Sequence, residues 1–198
     1  MEIEKITGRI AQDLEYLKKF TATPGEGCTR LPFTKEARDA VNYLRETMEE
    51  IGLEVHEDEA GNVFGILRGT DPEAPCVMSG SHYDSVIHGG NYDGIGGVVC
   101  SIEMARQIVE SGMEHKRDLV VVGFNDEEGM RFGTGYFGSG AMLGHRDEAY
   151  TEQFKDASGV SIAEAMKEYG LDPAKVGDAA WKEGSIGHFV EAHIEQGP

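Results

Sequence analysis

Imidazole and carboxylate side chains follow three apolar segments of this 198-residue chain, in positions that suit metal binding. Zinc and similar divalent ions bind histidine nitrogen and carboxylate oxygen in proteins. Buried strands of an open α/β sheet carry the residues that follow them to the carboxyl edge of the sheet, where ligands bind. We therefore predict that residues far apart in the sequence meet in one metal site. The side chains concerned belong to His82, Asp84, Asp93, Glu127, Glu128 and His193.

A two-metal hydrolytic centre is the chemistry that this set suits best. In such centres the ions lie about 3.5–4 Å apart, and a bridging carboxylate lets both act on one water molecule. Asp93 is the candidate bridge. Glu127 lies beside Glu128 but on the other face of an extended chain, so it is the candidate general base. The candidate ligands are His82, Asp93, Glu128 and His193.

Each residue also has a plain structural interpretation when it is taken alone. A histidine before a loop is more often a hydrogen-bonded structural residue than a ligand, and two adjacent glutamates usually form a solvated surface pair. The glycines around Asp93 can serve tight turns only. The metal site is favoured because all these polar residues follow apolar strands and none lies on a helix face.

The charge and cysteine content exclude several classes of partner and location. The chain has 36 acidic and 18 basic residues, a formal net charge of −18, which argues against nucleic acid and anionic membranes as partners. Its three cysteines, Cys28, Cys76 and Cys100, are odd in number and form no CxxC pair, so we expect free thiols in a reducing compartment. With no signal-peptide pattern and no apolar run of roughly 18 residues, a cytoplasmic protein is expected.

Hydrophobic periodicity predicts helices that alternate with short strands. Thr34 is the predicted N-cap of the second helix and Gly52 its C-cap. This alternation predicts an α/β protein, a three-layer α/β/α sandwich with a mostly parallel sheet, and no linker marks a second domain. The predicted helices are 2–20, 35–51, 94–111, 139–143 and 161–169, and the predicted strands are 53–57, 62–67, 76–81, 119–124 and 189–194.

Several motifs, in this combination and order, resemble the N-carbamoyl-L-amino acid hydrolase/allantoate amidohydrolase family. That family belongs with the aminoacylase- and carboxypeptidase-type di-metal hydrolases, so the resemblance implies a zinc-exopeptidase-like catalytic domain. Together the motifs cover nearly the whole chain. They are Gly-Ser-His-Tyr-Asp-Ser at 80–85, Gly-Gly-Asn-Tyr-Asp-Gly at 89–94, Asp-Glu-Glu-Gly-Met-Arg-Phe at 126–132, Gly-Ser at 138–139 and His-Ile-Glu-Gln-Gly at 193–197, with Cys-Thr-Arg-Leu at 28–31 and Ala-Gly-Asn at 60–62.

The resemblance implies a role for each candidate residue. It implies two divalent ions (Zn, Mn, Co or Ni) and hydrolysis of a carbamoyl or ureido C–N bond in a small carboxylate, such as an N-carbamoyl amino acid or allantoate. It also implies a strained or cis peptide bond just after Asp93. His82 and His193 would bind one ion, Glu128 the other and Asp93 both, while Glu127 would be the base, Asp84 would hold the His82 ring and Gln196 would face the substrate.

Two departures from the family pattern shape the expectations. Gly140 stands where family members typically have Arg or Lys after the Gly-Ser pair, which affects substrate contacts. Relatives are about twice as long, so we expect residues 1–198 to be the N-terminal part of the catalytic domain, without the lid and dimerisation domain or the C-terminal return with its last histidine ligand. We therefore expect weak or no activity from this chain alone, and self-association through an exposed sheet edge.

Two other classes of function are open to the same sequence. A non-catalytic remnant or interaction module would keep the fold and bind divalent ions weakly, so a metal titration distinguishes it from an intact site. A dinucleotide or phosphate binder is disfavoured because no GxGxxG opens a helix after the first strand and carboxylates beside the glycine loop would repel phosphate.

Overall fold

The structure is a computed structural model that describes residues 3–196. This part of the chain forms five strands and six α-helices, with one 3-10 helix, Pro173–Ala179, before the last strand. The helices are α1 Ile3–Leu17, α2 Lys35–Ile51, α3 Ile95–Ser111, α4 Phe137–Met142, α5 Glu148–Gln153 and α6 Ile162–Tyr169; the strands are β1 Glu54–Glu57, β2 Val63–Leu67, β3 Cys76–His82, β4 Leu119–Phe124 and β5 Ile186–Val190.

The five strands form one mixed sheet in the order β1-β2-β4-β3-β5. β3 lies between β4 and β5 and runs parallel to both, whereas β2 is antiparallel to β1 and to β4. The predicted α/β fold is confirmed, with the parallel ladders confined to the half of the sheet that carries the candidate residues. β1 and β2 are antiparallel because a short turn joins them, and a turn of that length can only make a hairpin.

Apolar side chains on both faces of the sheet form the core. Val63 and Val121 face a cluster with helices α1, α2 and α3, whereas Phe64 and Val122 face a second cluster that includes Met142 of α4. The alternation follows from the period of two along a strand. β4, Leu-Val-Val-Val-Gly-Phe, is apolar on both faces, as a strand buried in the middle of a three-layer structure must be.

The caps predicted for α2 are confirmed. The side chain of Thr34 accepts a hydrogen bond from the main-chain nitrogen of Ala37 at 3.3 Å, and Gly52 ends the helix with φ +95°.

The first helix is shorter than predicted, since it ends at Leu17, and Glu2 lies outside the described residues. α5 and the 3-10 helix were not predicted, because each is too short to show a clear periodicity.

The last strand lies earlier than predicted. β5 spans Ile186–Val190, and residues 191–196, His193 included, form no regular element. Pairing with β3 sets this position: Ile186 lies opposite Cys76 and Phe189 opposite Met78. As an edge strand β5 is largely exposed, so its sequence lacks the continuous apolar run that marks β4.

Three further expectations concern the backbone, the thiols and membrane spans. Of the two forms expected for the peptide bond after Asp93, strained or cis, the cis form is wrong, because residues 3–196 contain no cis peptide bond; Gly94 has φ +62° there. Cys28, Cys76 and Cys100 are free thiols, as predicted. Within the described range, every helix is too short or too polar to cross a bilayer.

Candidate metal centre

The parallel strands end together at one edge of the sheet, and the candidate residues lie there. His82, the last residue of β3, pairs with Phe124, the last residue of β4. Glu127 and Glu128 follow β4 after a two-residue turn, and His193 follows β5. Because parallel strands carry their carboxyl ends to the same edge, three distant segments of the sequence meet at this point.

His82 is held so that one ring nitrogen faces the acidic residues. Its side chain is 3% exposed, and Nδ1 lies 3.0 Å from the main-chain oxygen of Asp84. A carbonyl oxygen only accepts hydrogen bonds, so Nδ1 donates to it, and Nε2 is the ring nitrogen that takes no part in this hydrogen bond. Nε2 lies 3.7 Å from Asp93 Oδ1 and 3.8 Å from Glu127 Oε2. The ring is therefore oriented as a ligand's would be.

Asp93 presents one carboxylate oxygen that has no hydrogen-bond partner. Oδ1 is buried and makes no hydrogen bond, although Nε2 of His193 lies 3.1 Å away. Oδ2 accepts a hydrogen bond from Nε2 of Gln196 at 2.6 Å. A buried carboxylate oxygen without a donor is costly, and a cation between Asp93, His82 and His193 would remove that cost.

Asp84 contributes to the site with its carboxylate as well as with its main chain. The side chain is buried, and its two oxygens accept hydrogen bonds from the main-chain nitrogens of Glu127, at 3.0 Å, and Glu128, at 3.2 Å. Asp126, immediately before them, has φ +52°, a left-handed conformation that reverses the chain after β4. Asp84 thus links the end of β3 to the segment that carries both glutamates.

Two overlapping groups of side chains could hold a divalent ion. His82, Asp93 and His193 form one, and His82, Glu127 and Glu128 form the other; within each group the ligand atoms lie within 4.8 Å of one another. Nitrogen and carboxylate oxygen are a donor set that suits zinc-like ions. Together with the unpartnered oxygen of Asp93, these distances fit a metal centre.

The site is strongly acidic, which changes the protonation of its members. Burial favours a neutral His82, but Asp84 and Glu127 outweigh it and raise the pKa of His82 to about 9. Burial raises the pKa of Glu127 and of Glu128, and the neighbouring carboxylates add to this, although His82 opposes it. Without an ion, both ring nitrogens of His82 therefore carry a proton at neutral pH, and the imidazolium places a positive charge among the carboxylates.

All the residues selected from the sequence meet at this edge of the sheet. The contact of Gln196 is with Asp93 in this structure, so its amide is occupied by a candidate ligand. Sequence reasoning missed two buried asparagines beneath the site, Asn62 and Asn125. Their positions in the sequence could have indicated them, because Asn62 directly precedes the apolar strand β2 and Asn125 directly follows the apolar strand β4.

The fold and this site define the class of protein. The sequence profile of Peptidase family M28 matches residues 62–166, more than half of the chain. The chain belongs to Peptidase family M28. The matched segment runs from β2 to α6 and includes His82, Asp93 and Glu128 of the candidate centre.

Two of the similar proteins are named as amidohydrolases, and a crystal structure of a third protein has a similar fold. The N-carbamoyl-L-amino acid amidohydrolase of Geobacillus stearothermophilus is 45% identical over 189 residues, 96% of this chain and 46% of the relative. The allantoate amidohydrolase of Bacillus subtilis (strain 168) is 40% identical over 199 residues, 100% of this chain and 48% of the relative. The crystal structure of AtUAH in complex with (S)-hydroxyglycine has a TM-score of 0.89 and 34% identity, covering 98% of this chain and 47% of that chain.

The resemblance predicted from the motifs is confirmed by these matches. The chain spans about half the length of the curated relatives it matches.

Proposed function

We propose that the whole protein is a metal-dependent hydrolase of carbamoyl or ureido C–N bonds in small carboxylates. N-carbamoyl-L-amino acids and allantoate are the candidate substrates. The observation that carries this proposal is the meeting of His82, Asp93 and His193, with ligand atoms within 4.8 Å of one another, beside two glutamates. The names of two similar proteins, an N-carbamoyl-L-amino acid amidohydrolase and an allantoate amidohydrolase, support the choice of bond.

The proposed ligands follow the two groups found at the strand ends. His82, Asp93 and His193 would hold one divalent ion, and Glu128 would help to hold a second, with Asp93 between the two. Zinc, manganese, cobalt and nickel are the candidate ions. When bound, such ions polarise a substrate carbonyl and lower the pKa of water.

Glu127 is the proposed general base. Its Oε2 lies 3.8 Å from Nε2 of His82, and its side chain is 30% exposed, so it borders the ligands and still reaches solvent. Burial raises the pKa of this carboxylate, which makes it a stronger proton acceptor. Glu127 would take a proton from water and deliver it to the leaving nitrogen.

Asp84 and Gln196 would position the groups around them. Asp84 accepts the hydrogen bond from Nδ1 of His82 through its main chain, and its carboxylate holds the main-chain nitrogens of Glu127 and Glu128. Gln196 donates to Asp93 from the exposed side of the site. We propose that the Gln196 amide contacts the substrate when one is bound.

A ligand bound to a similar protein supports a small carboxylate as the substrate. (S)-hydroxyglycine, the ligand named in one AtUAH crystal structure, is a small amino carboxylate. Its size agrees with a small ureido carboxylate as the substrate. Gly140 follows Ser139 and brings no charge to the site. The guanidinium of Arg146 lies close to Gly140: a Cβ added to Gly140 would lie 2.7 Å from Arg146 Cζ.

A substrate panel tests the proposal. The whole protein, stripped with a chelator and reloaded in turn with Mn, Co, Ni or Zn, would be assayed with N-carbamoyl-L-amino acids, allantoate, ureidoglycolate and dipeptides. We expect metal-dependent release of product from at least one ureido compound and none from dipeptides. Cleavage of dipeptides alone would contradict the proposal and favour a peptidase.

The present 198-residue chain should turn over such substrates slowly or not at all. Among the described residues, the group around Glu128 shares His82 with the first group and contains no histidine of its own. The second ion would therefore be held weakly. Rates equal to those of the whole protein would contradict this part of the proposal.

A further inference from the structure

Two asparagines without exposed surface lie beneath the end of β4. Asn125 directly follows β4, and Asn62 directly precedes β2, in the turn from β1. Asn62 Oδ1 accepts a hydrogen bond from the main-chain nitrogen of Asn125 at 3.0 Å. Its Nδ2 donates to the main-chain oxygen of Gly138 at 3.0 Å and to Asp58 Oδ2 at 2.8 Å. Both amide hydrogens and the amide oxygen of Asn62 are therefore in use.

The turn that holds Asn62 is itself fixed by hydrogen bonds. Asp58 Oδ1 accepts from the main-chain nitrogens of Ala60, at 2.9 Å, and Asn62, at 2.8 Å. Asn125 returns the contact, because its Nδ2 donates to the main-chain oxygen of Ala60 at 3.0 Å. The turn and the end of β4 are thus joined by side chains in both directions, in a buried region where each such bond matters.

No space is left for Asn62 to move towards α4. A Cβ on Gly138 would lie 2.0 Å from Asn62 Oδ1, and the main-chain nitrogen of Gly138 donates to the oxygen of Asn125 at 2.9 Å. Asn62 is therefore enclosed by the turn, the end of β4 and the start of α4 at once.

The segment that leaves β4 is pinned at two places only one residue apart. Asn62 holds the nitrogen of Asn125, and the carboxylate of Asp84 holds the nitrogens of Glu127 and Glu128. Asp126 lies between them with φ +52°. Asn62 therefore holds the start of the segment that carries both glutamates, and Asp84 holds its other end.

We propose that Asn62 is a positioning residue for Glu127 and Glu128. Its side chain sets the direction in which the chain leaves β4, and so the place of both carboxylates at the metal centre. The significance for catalysis rests on the proposed function, whereas the positioning itself is a property of the metal-free chain. The competing explanation is that Asn62 only stabilises the turn between β1 and β2.

Amide hydrogen exchange of the metal-free 198-residue chain separates these explanations. In Asn62→Ala we expect the amides of Glu127, Glu128 and Gly138 to exchange roughly five- to tenfold faster, as for the loss of about one buried hydrogen bond. Asn62→Ser is the milder second variant if Asn62→Ala does not fold. Thr151→Ala is the matched control: it removes the hydrogen bond from the hydroxyl of another buried side chain to the main-chain oxygen of Glu148, and it should leave these amides unchanged. Faster exchange confined to the β1–β2 turn, with Glu127 and Glu128 unaffected, would overturn the proposal.

Metal binding gives a second readout through a double-mutant cycle. In calorimetric titrations of the whole protein with Co²⁺, Asn62→Ala should weaken binding of the ion that Glu128 helps to hold, and this weakening should disappear in a Glu128→Ala background, because its effect acts through that side chain. Equal weakening in both backgrounds would overturn the proposal. If the whole protein binds no Co²⁺ at all, the proposed function fails, but the exchange result still decides whether Asn62 positions the glutamates.

Discussion

The main-chain oxygen of Asp84 lies 3.0 Å from Nδ1 of His82. Because a carbonyl oxygen cannot donate, this contact keeps a proton on Nδ1 and assigns Nε2 to any metal ion. Nε2 is the ring atom that lies 3.7 Å from the unpartnered Oδ1 of Asp93. A contact between residues two positions apart therefore selects the ligand atom, which is a frequent arrangement for metal-binding histidines.

Metal binding should release a proton from His82 at neutral pH. Burial alone would lower the pKa of this ring, but Asp84 and Glu127 raise it to about 9 in the metal-free chain. An ion needs the neutral ring, so the apparent affinity should rise about tenfold per pH unit up to pH about 9 and level off above it. Calorimetric titration with Zn²⁺ at several pH values, in two buffers of different ionisation enthalpy, measures both effects.

His56→Ala is the control for this titration, because His56 stacks on Phe64 and belongs to neither metal-binding group. It should leave the pH dependence unchanged. An affinity that is constant between pH 7 and 9, with no dependence on the buffer, would show that His82 does not hold the displaced proton.

Gly94→Ala should disrupt the centre. A Cβ on Gly94 would lie 2.3 Å from the His82 ring, and φ is +62°. A positive φ alone costs a residue with a side chain about 1–2 kcal/mol, and the contact with the ring adds to it. We expect the free energy of unfolding in urea to fall by at least that amount, and Zn²⁺ binding to weaken.

Gly96→Ala is the matched substitution two residues along. A Cβ there would meet only Tyr92 Cβ, at 3.9 Å, and Gly96 lies within α3. Replacing glycine by alanine inside a helix gains roughly 0.5–1 kcal/mol, so this variant should be as stable as the parent or more so. Equal losses in both variants would mean that the contact with His82 is unimportant.

Glu127→Gln should separate catalysis from metal binding. If Glu127 is the base, kcat of the whole protein should fall by about 100- to 10,000-fold, whereas ion binding stays close to that of the parent. Glu128→Gln should instead weaken ion binding, since Glu128 is a proposed ligand. Parallel assays and titrations of the two variants measure this contrast. A Glu127→Gln enzyme with parental kcat would refute the assignment of the base.

Much of the site could be predicted from the sequence because its signals are local. An apolar strand, a histidine at its end and a glycine loop before a helix predicted the positions of His82 and Asp93. The apolar run of β4 predicted Glu127 and Glu128 in the same way, and the caps at Thr34 and Gly52 delimited α2.

The remaining features depend on contacts between distant residues, which a single sequence does not reveal. Pairing with β3 sets the position of β5, so the strand predicted at 189–194 lies at Ile186–Val190 instead. The hydrogen bonds of the Asp84 carboxylate to the amides of Glu127 and Glu128 join segments that lie on different strands. Asn62 and Asn125 are polar residues with no exposed surface, and only the fold shows why they are buried.

The most direct test of the metal centre is anomalous diffraction from crystals of the whole protein grown with Zn²⁺. The account predicts a zinc peak about 2.0–2.2 Å from Nε2 of His82, Nε2 of His193 and a carboxylate oxygen of Asp93. A saturated crystal in which zinc binds elsewhere, with His82 and His193 bonded only to protein groups, would contradict it.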